Sequence, residues 1–334
     1  MGQAVAGTLA APDELVLATR AARLYYFDDR SKMEIASELG VSRFKVARLL
    51  DLARSSGIVT VTISGPGSLD LELSDRLRDR FGLTHAIVVA TTEGDDALTR
   101  RQLGAVAATL LTEISTPRDV LGLGWARAVL DMAAGLDGLE VARVVQLTGA
   151  LTRPDVGVSS VELVRDVARR AGAEPSVFYA PMIVGDAAAA RSLLRDPTVR
   201  DAFSHFGAVT KAVIGVGGWD PPHSTLHDAL SPSEREVMQR SRVHADLSGV
   251  LIDASGRPVQ TPLRDRIIGI SSAQLRRIPE VIAIAYGADK VSAAHAALRG
   301  GYLQSIVTHT AFAERLLAAA DAVRPRRAGP RSSR

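Results

Sequence analysis

With 334 residues, 46% of them hydrophobic, the chain is long enough to form two domains with sizeable cores. It contains no cysteine, which excludes disulfides, thiolate catalysis and cysteine-ligated metal sites. The net charge of +3 does not by itself indicate a nucleic-acid-binding protein. The sequence has neither a secretory leader nor about 18 uninterrupted apolar residues, so we expect a cytoplasmic protein without a membrane span.

Three short helices are predicted at the N-terminus. Apolar residues recur at helical spacing from Leu15 to Tyr25, which predicts the first helix. Ser31 and Glu34 have the spacing of a capping box and predict the start of a second helix, which Gly40 ends. A third helix is predicted over residues 42–55, because a serine stands at the position of its N-cap.

The second and third helices carry the spacing of a helix-turn-helix. Ala36 is placed where the two helices cross, and Gly40 forms the turn. Val46 and Leu49 then fix the angle of the third helix. A short strand over residues 58–63 is predicted to follow, which would make the unit similar to a winged helix.

The outward face of the third helix is basic. Recognition helices present their N-terminal side chains to base edges, so Arg43 and Lys45 are predicted to donate to guanine. Ser42, Arg48 and Arg54 are better placed for phosphates. The alternative is a three-helix protein-binding module with a solvated basic face, but the coincidence of helical register and basic face favours DNA. The predicted DNA-binding residues are Ser31, Lys32, Ser42, Arg43, Phe44, Lys45, Arg48 and Arg54.

After a linker predicted at residues 64–68 and a charged amphipathic helix over Leu69–Phe81, strands and helices alternate. The strands are mostly continuous apolar runs, as expected for a parallel sheet covered on both faces. This pattern predicts a doubly wound, mostly parallel α/β domain over residues 69–322, beside a helix-turn-helix domain over residues 13–63. The predicted strands are Ala86–Ala90, Val120–Gly124, Val144–Gly149, Ser176–Ala180, Ala212–Val216, Gly249–Asp253, Ile267–Ser271, Val281–Ala285 and Ser305–Thr308.

Several predicted strands end in glycine or polar residues, at the edge where such folds bind ligands. Glycine permits close backbone approach, and Arg127 and Lys290 suit a phosphate. The first loop has Arg127 at the third glycine position of a dinucleotide fingerprint and is not a Walker A loop, so no dinucleotide, ATP or other cofactor is predicted. The histidines show no metal-ligand spacing, and no metal is predicted. The predicted effector-binding residues are Gly122, Gly124, Trp125, Ala126, Arg127, Thr148, Gly149, Gly215, Gly217, Gly218, Asp253, Lys290 and His309.

Short motifs along most of the chain match one known family. In the N-terminal part they are Leu24-Tyr25-Tyr26, Ile35-Ala36, Val41-Ser42-Arg43, Arg48-Leu49-Leu50, Ala53-Arg54 and Gly57-Ile58-Val59. In the C-terminal part they are Gly124-Trp125, Gly215-Val216-Gly217, Pro279-Glu280-Val281-Ile282-Ala283, Lys290, Leu298-Arg299-Gly300-Gly301 and Val307-Thr308. Together these motifs resemble the SorC family of sugar-responsive bacterial regulators, which is related to the DeoR sugar-sensing regulators.

The resemblance implies a sensor fold akin to sugar-phosphate isomerases and deaminases. It also implies phosphorylated sugars or related polyols as effectors, and dimers or tetramers. Carried over residue by residue, it implies that the Gly122–Arg127 loop cradles the phosphate and that the Gly215–Gly218 loop and Lys290 line the pocket.

We therefore expect a DNA-binding regulator, by default a repressor, of a sugar or polyol catabolic operon. It would bind a palindromic, double-stranded operator as a homodimer or homotetramer, with no membrane partner, and its effector would control DNA affinity. The main alternative is a sugar-phosphate isomerase or deaminase with an accessory N-terminal domain, in which Lys290, Asp253 or His309 acts as acid or base. A third hypothesis, a structural adaptor, leaves the glycine-rich strand ends unexplained.

Overall fold

The computed structural model describes residues 12–28, 30–59, 69–91, 95–151, 157–219 and 222–322, with the backbone alone for residues 222 and 223. The chain divides into two units, residues 1–64 and 65–334. None of the helices in the described ranges is long and apolar enough to cross a membrane. Over the same ranges, no group of three histidine, aspartate or glutamate side chains is arranged to hold a metal ion.

Three helices form the described part of the smaller unit: α1 (Pro12–Tyr26), α2 (Lys32–Leu39) and α3 (Arg43–Ser55). Their apolar residues recur every three or four positions, so each helix turns one apolar face to the others. Alanines on α1 leave room for the larger side chains of α3. The buried residues of this core are Ala18, Ala21, Ala22, Ile35, Val46, Leu49, Leu50 and Ala53.

Local hydrogen bonds set the ends of α2 and the start of α3. The backbone N–H of Glu34 donates to Ser31 Oγ at 3.3 Å, and the carboxylate of Glu34 accepts from the Ser31 amide at 2.8 Å, so the predicted capping box is present. Gly40 adopts a left-handed conformation with φ 64° and ends α2. Ser42 then accepts from the amide of Lys45 at 3.2 Å and begins α3.

The strand predicted after α3 is not seen in the part that can be checked. Ile58 and Val59 have no strand structure. Residues 60–63 lie outside the described residues, and so does the linker predicted at residues 64–68.

A seven-stranded, fully parallel sheet forms the centre of the larger unit, in the order β1-β11-β10-β5-β2-β3-β4. From β2 the chain moves outward through β3 and β4, whereas from β5 it moves the other way through β10 and β11. The strand order therefore reverses between β2 and β5. The strands of this sheet are β1 (His85–Val89), β2 (Val120–Leu123), β3 (Arg143–Gln146), β4 (Glu174–Ser176), β5 (Lys211–Gly215), β10 (Glu280–Ile284) and β11 (Ser305–His309).

Helices cover both faces of this sheet, which confirms the predicted doubly wound fold. Along β5, Ala212 and Ile214 join the core under α4, α13 and α14, while Val213 points to the core under α5, α6 and α7. The helices of this unit are α4 (Leu71–Phe81), α5 (Asp96–Ile114), α6 (Arg127–Ala134), α7 (Ser160–Arg170), α8 (Ala187–Leu193), α9 (Pro197–Ser204), α10 (Thr225–Asp228), α11 (Pro232–Arg240), α12 (Ser272–Leu275), α13 (Val291–Arg299) and α14 (Thr310–Ala322).

A second, antiparallel sheet stands apart from the first, in the order β7-β6-β8-β9. Its turn between β8 and β9 places Ser248 and Gly249 at positive φ, 52° and 86°, which is the conformation of a two-residue hairpin turn. The strands are β6 (Gly217–Trp219), β7 (Pro222–His223), β8 (Ala245–Leu247) and β9 (Val250–Ile252).

Three strand predictions need correction. The run predicted over Gly249–Asp253 belongs to the small antiparallel sheet as β9, not to the parallel sheet. The run over Ser176–Ala180 ends as a strand at Ser176. The run over Ile267–Ser271 makes only isolated bridges. Ile268 and Ile270 are buried, but their amides donate to single carbonyl groups in the chain after β3 and do not form a continuous ladder with another strand.

Candidate functional site

A cavity of about 380 Å³ lies at the carboxyl ends of β2 and β5, where the strand order reverses. This crevice is where open α/β sheets bind ligands. Loops after β2, β3, β5 and β10 line one side, and α10 and the small sheet supply the rest. The lining residues are Trp125, Ala126, Arg127, Ala128, Thr148, Leu151, Met182, Gly215, Val216, Gly217, Ser224, Thr225, Leu226, Asp228, Asp246, Ser248, Ile284, Tyr286 and Lys290.

Asp246 places a buried carboxylate in the cavity wall. The hydroxyl of Ser224 donates to it, and the amide of Gly249 donates to it at 3.3 Å. Burial raises the pKa of Asp246, while these two hydrogen bonds and the charge of Lys290 oppose the rise. The carboxylate also requires Gly217 beside it, because a Cβ there would lie 2.1 Å from Asp246 Oδ2.

Lys290 and Arg127 bring positive charge to the same cavity. Burial lowers the pKa of Lys290, Asp246 opposes this effect, and Arg127 adds to the lowering. Lys290 Nζ lies 4.5 Å from the centre of the Tyr286 ring, within the range of a cation–π contact. Arg127 is the first residue of α6, so the free N–H groups of that helix face the same region.

The glycines at the strand ends allow the walls of the cavity to come together. A Cβ on Gly215 would lie 2.6 Å from Ala126 Cβ, and a Cβ on Gly124 would lie 2.1 Å from Ser248 Oγ. The β2 loop, the β5 loop and the β8–β9 turn therefore meet only because these positions carry no side chain.

Part of the cavity wall is apolar. Leu151, Met182 and Leu226 face it from one side, and Val216 and Ile284 from the sheet. Such a wall favours a carbon skeleton, while the cations favour an anion and the carboxylate accepts hydrogen bonds from hydroxyl groups. The cavity is therefore suited to a small, hydroxylated, negatively charged molecule.

In the smaller unit, the start of α3 presents side chains to solvent. Arg43, Phe44 and Arg48 are exposed, and Phe44 is 82% exposed. An aromatic side chain this exposed gains little packing energy within the described part of the smaller unit. It is therefore available to a partner.

Two other basic side chains of α3 have acidic neighbours. Lys45 Nζ lies 3.9 Å from Glu14 Oε1 on α1, and Arg54 pairs with Asp51 at 2.8 Å. All four side chains are more than a third exposed, so each pair contributes little to stability. Both basic groups can exchange these weak partners for groups on DNA, a base edge for Lys45 and a phosphate for Arg54.

The chain is similar to known transcription regulators over nearly its whole length. A family model described as "Putative sugar-binding domain" matches residues 66–318. The transcriptional regulator LsrR of Klebsiella pneumoniae is 31% identical over 322 residues, 94% of this chain and 96% of that protein. The chain belongs to the SorC family of sugar-binding transcriptional regulators. The sorbitol operon regulator of Klebsiella pneumoniae is 28% identical over 315 residues, 91% of this chain and 98% of that protein.

Solved structures of SorC-family and DeoR-family regulators have the same fold. The crystal structure of the full-length sorbitol operon regulator SorC from Klebsiella pneumoniae has a TM-score of 0.70 and 26% identity, and covers 92% of this chain and 100% of that one. A DeoR family transcriptional regulator from Listeria monocytogenes has a TM-score of 0.67 and 25% identity, and covers 74% of this chain and 98% of that one.

The structure brings together about half of the residues that the sequence predicts for the effector site of this SorC-family chain. Those that line the cavity are Trp125, Ala126, Arg127, Thr148, Gly215, Gly217 and Lys290. Two of the other predicted residues, Gly122 and Gly149, allow close packing within the protein. A Cβ on Gly122 would collide with the side chain of Leu147, and a Cβ on Gly149 would collide with the backbone of Pro181. Gly124 lies against the cavity without lining it.

Three more predicted residues lie away from the cavity wall. One oxygen of Asp253, Oδ1, accepts the amides of Ser255 and Arg257 in a turn. Gly218 is a ladder residue of β6, and His309 ends β11 next to β1. The seven strands end along an edge that is longer than the cavity. A residue at the end of a strand therefore does not necessarily line the cavity.

The polar residues that reach the cavity from outside the parallel sheet are not among those predicted from the sequence. Asp246, Ser224 and Ser248 belong to the small sheet and to the start of α10. One signal was available: Asp246 interrupts an otherwise apolar strand, and a buried acid usually has a function or a partner. Tyr286, which follows a predicted strand, is also absent from the predicted residues.

Proposed function

We propose that this SorC-family regulator binds a small phosphorylated sugar or polyol in the cavity, and that binding changes its affinity for operator DNA. The observation that carries the proposal is that Lys290 and Arg127 share one cavity with the buried carboxylate of Asp246. The phosphate would lie toward the two cations and the first turn of α6. The sugar hydroxyls would donate to the carboxylate of Asp246.

In this proposal, residues 13–63 bind DNA and residues 69–322 bind the effector and form the oligomer. The first turn of α3 would enter the major groove, with Arg43, Phe44 and Lys45 at base edges and Arg48 at the phosphates. The exposure of Arg43, Phe44 and Arg48 supports it. Pairing of two such units, in a homodimer or homotetramer, would match a palindromic operator in a cytoplasmic compartment.

The proposed regulator is a repressor of a sugar or polyol catabolic operon, released from its operator by the effector. A differential effector affinity equivalent to about 1–3 kcal/mol between the two states would change DNA affinity about 5- to 150-fold. The sorbitol operon regulator of Klebsiella pneumoniae, by its name, controls the operon of a polyol. This likeness supports the same class of target here.

Two assays test the proposal together. In the first, the chain is heated with a panel of phosphorylated and unphosphorylated sugars and polyols, and a ligand at about 100 times its Kd adds roughly 2.7 kcal/mol of stability. In the second, a gel-shift assay with the upstream region of its own operon compares the wild type with an Arg43→Ala/Lys45→Ala variant. The sugar assignment fails if no compound raises Tm, and the DNA assignment fails if the variant binds as the wild type does.

The second candidate is a sugar-phosphate isomerase or deaminase, because Asp228 and Lys290 line the same cavity and could exchange protons. We propose binding without turnover. Asp253 and His309, the other predicted acid or base residues, are not in the cavity wall, which supports this choice. A turnover assay with each compound that raises Tm separates the two, since product formation would establish an enzyme.

A further inference from the structure

A pair of charged residues lies behind the cavity wall, in contact with a residue that lines it. Arg100 on α5 donates from Nε to Asp131 Oδ2 on α6 at 2.5 Å, and both side chains are about three-quarters buried. Arg100 also interacts with the hydroxyl of Tyr286. The ring of Tyr286 in turn supports the ammonium of Lys290. A chain of contacts therefore runs from α6, through α5, to the cationic side of the cavity.

The two helices approach closely where this pair forms. A Cβ on Gly104 would lie 2.8 Å from the Cβ and backbone carbon of Asp131. Gly104 is one helical turn beyond Arg100, so the close approach of α5 to α6 brings Asp131 within reach of the guanidinium. Because Asp131 is one turn beyond Arg127, the same pair also fixes the start of α6, which faces the cavity.

We propose that Arg100 and Asp131 are positioning residues for the anion side of the effector cavity, and that they act by holding Tyr286 under Lys290. This inference rests on the proposed function, since it concerns the same site. Neither residue lines the cavity, so their effect on a ligand is transmitted through Tyr286 and α6. The planar guanidinium can contact a carboxylate and a phenol together, whereas a lysine ammonium lacks that fixed fork.

The alternative is that the two charges act only through space, and Asp131→Asn separates the possibilities by sign. Loss of a negative charge near Lys290 and Arg127 would by itself strengthen anion binding. Loss of the Arg100 contact weakens it if the pair has a positioning role. With inorganic phosphate as the probe and the fluorescence of Trp125, which lines the cavity, as the signal, we expect binding about 2- to 10-fold weaker than in the wild type.

Arg100→Lys is the second variant, because it keeps the charge and removes the fork, and the same weakening is expected. Glu174→Gln is the matched control: it removes a carboxylate paired with Arg143 at the opposite end of the sheet and leaves phosphate binding unchanged. A cooperative unfolding transition well above the assay temperature establishes that each variant is folded, since breaking this pair is itself expected to lower Tm. If the wild type does not bind phosphate, the proposed function fails and this inference with it. If the wild type binds and either variant binds as tightly, only the positioning role is overturned.

Discussion

The hydroxyl of Ser224, at the start of α10, donates a hydrogen bond to the carboxylate of Asp246 on β8. Ser224 also accepts the amides of Leu226 and His227, so one hydroxyl caps the short helix and orients the carboxylate. Burial favours the neutral carboxyl, and the bonds from Ser224 and Gly249 favour the charged one. Asp246 is thus held in place as an acceptor before any ligand arrives.

Asp246→Asn is expected to impair the response to the effector and to leave operator binding intact. The change keeps the shape of the side chain but replaces a charged acceptor, and a hydrogen bond to a charged group contributes about 1.5–3 kcal/mol, which corresponds to roughly 10- to 150-fold in affinity. Release of a fluorescent operator by the compound with the largest Tm shift, followed by anisotropy, measures the effect.

The matched control is Asp201→Asn, the same chemical change at an exposed position of α9. It is expected to respond as the wild type does. Some loss of Tm is expected for Asp246→Asn, because the amide leaves Ser224 or Gly249 with one acceptor fewer and Lys290 without its opposing charge, so the proteins are compared at a temperature at which both are folded. Equal effector concentrations for release from Asp246→Asn and from the wild type would rule out a ligand contact at this carboxylate.

Features of the fold that depend on neighbouring residues in the chain can be predicted from the sequence. The ends of α2 and α3 follow from Ser31, Gly40 and Ser42, whose effects extend over three or four residues. The parallel sheet follows from apolar runs that only a strand covered on both faces can hold. Even the place of the cavity follows, because Arg127 and Lys290 come directly after strands that end at one edge.

The cavity wall itself depends on contacts that sequence periodicity does not encode. Asp246 reaches the cavity because the small antiparallel sheet folds back over the strand ends, a long-range pairing of β6 with β8. Glycine allows close approach, so Gly122 and Gly149 are predicted at the ligand, but the side chain of Leu147 lies next to Gly122 and the backbone of Pro181 lies next to Gly149. Glycine indicates a close neighbour without identifying it.

At the opposite end of the sheet, Asp119 and Lys211 form a buried pair, with Lys211 Nζ 2.9 Å from Asp119 Oδ2. Burial opposes ionisation of the carboxyl, but Lys211, Thr210 and Thr116 outweigh it and lower the pKa of Asp119 to about 2. The unfolded chain has a carboxyl pKa near 3.9. A depressed native pKa adds stability above the unfolded value, and this stability is lost as the pH falls toward the native value.

We therefore expect the wild type to lose about 1–2 kcal/mol of unfolding free energy from this group between roughly pH 4 and pH 2. In Asp119→Asn this loss is absent, so the difference in unfolding free energy between the two proteins shrinks over that range. Urea unfolding followed by circular dichroism between pH 6 and 2 measures it. Asp75→Asn, in the exposed pair with Arg78, is the control and should differ by under about 0.5 kcal/mol throughout. A constant difference for Asp119→Asn would contradict the assignment.

Arg242 adopts a left-handed conformation with φ 58°, just past the end of α11. Its amide donates to Gln239 O at 3.0 Å, and the amide of Val243 donates to Met238 O at 3.2 Å, which is the pattern that glycine commonly completes. An L side chain in this conformation costs about 1 kcal/mol. Arg242→Gly is therefore expected to raise the free energy of unfolding by about 0.5–1 kcal/mol.

Arg242→Ala separates this backbone effect from the loss of the side chain. Alanine keeps the Cβ and the strained conformation, so it should be less stable than the glycine variant by the same 0.5–1 kcal/mol or so. Urea denaturation of the three proteins at one pH gives both differences. Equal stability of the alanine and glycine variants would mean that the left-handed conformation carries no strain here.

Phe44, the second residue of α3, is 82% exposed. If α3 reads the major groove, an apolar ring at this place would contact the methyl group of a thymine, and the contact would distinguish that base from others. Phe44→Ala is expected to weaken operator binding by about 1–2 kcal/mol, roughly 5- to 30-fold, and to leave binding to random DNA unchanged. The Tm should change little, since the side chain is 82% exposed and has little buried surface to lose.

Arg48→Ala is the contrasting variant, because Arg48 is assigned to a phosphate. Its loss should weaken binding to operator and random DNA alike and lower the salt dependence of log Kd by about one unit of slope, whereas Phe44→Ala should leave that slope unchanged. Anisotropy titrations of both variants between about 50 and 200 mM salt measure the two quantities. If Phe44→Ala weakens binding to random DNA and to operator DNA equally, the ring does not contact base edges. Recognition of the operator sequence would then be assigned to Arg43 and Lys45.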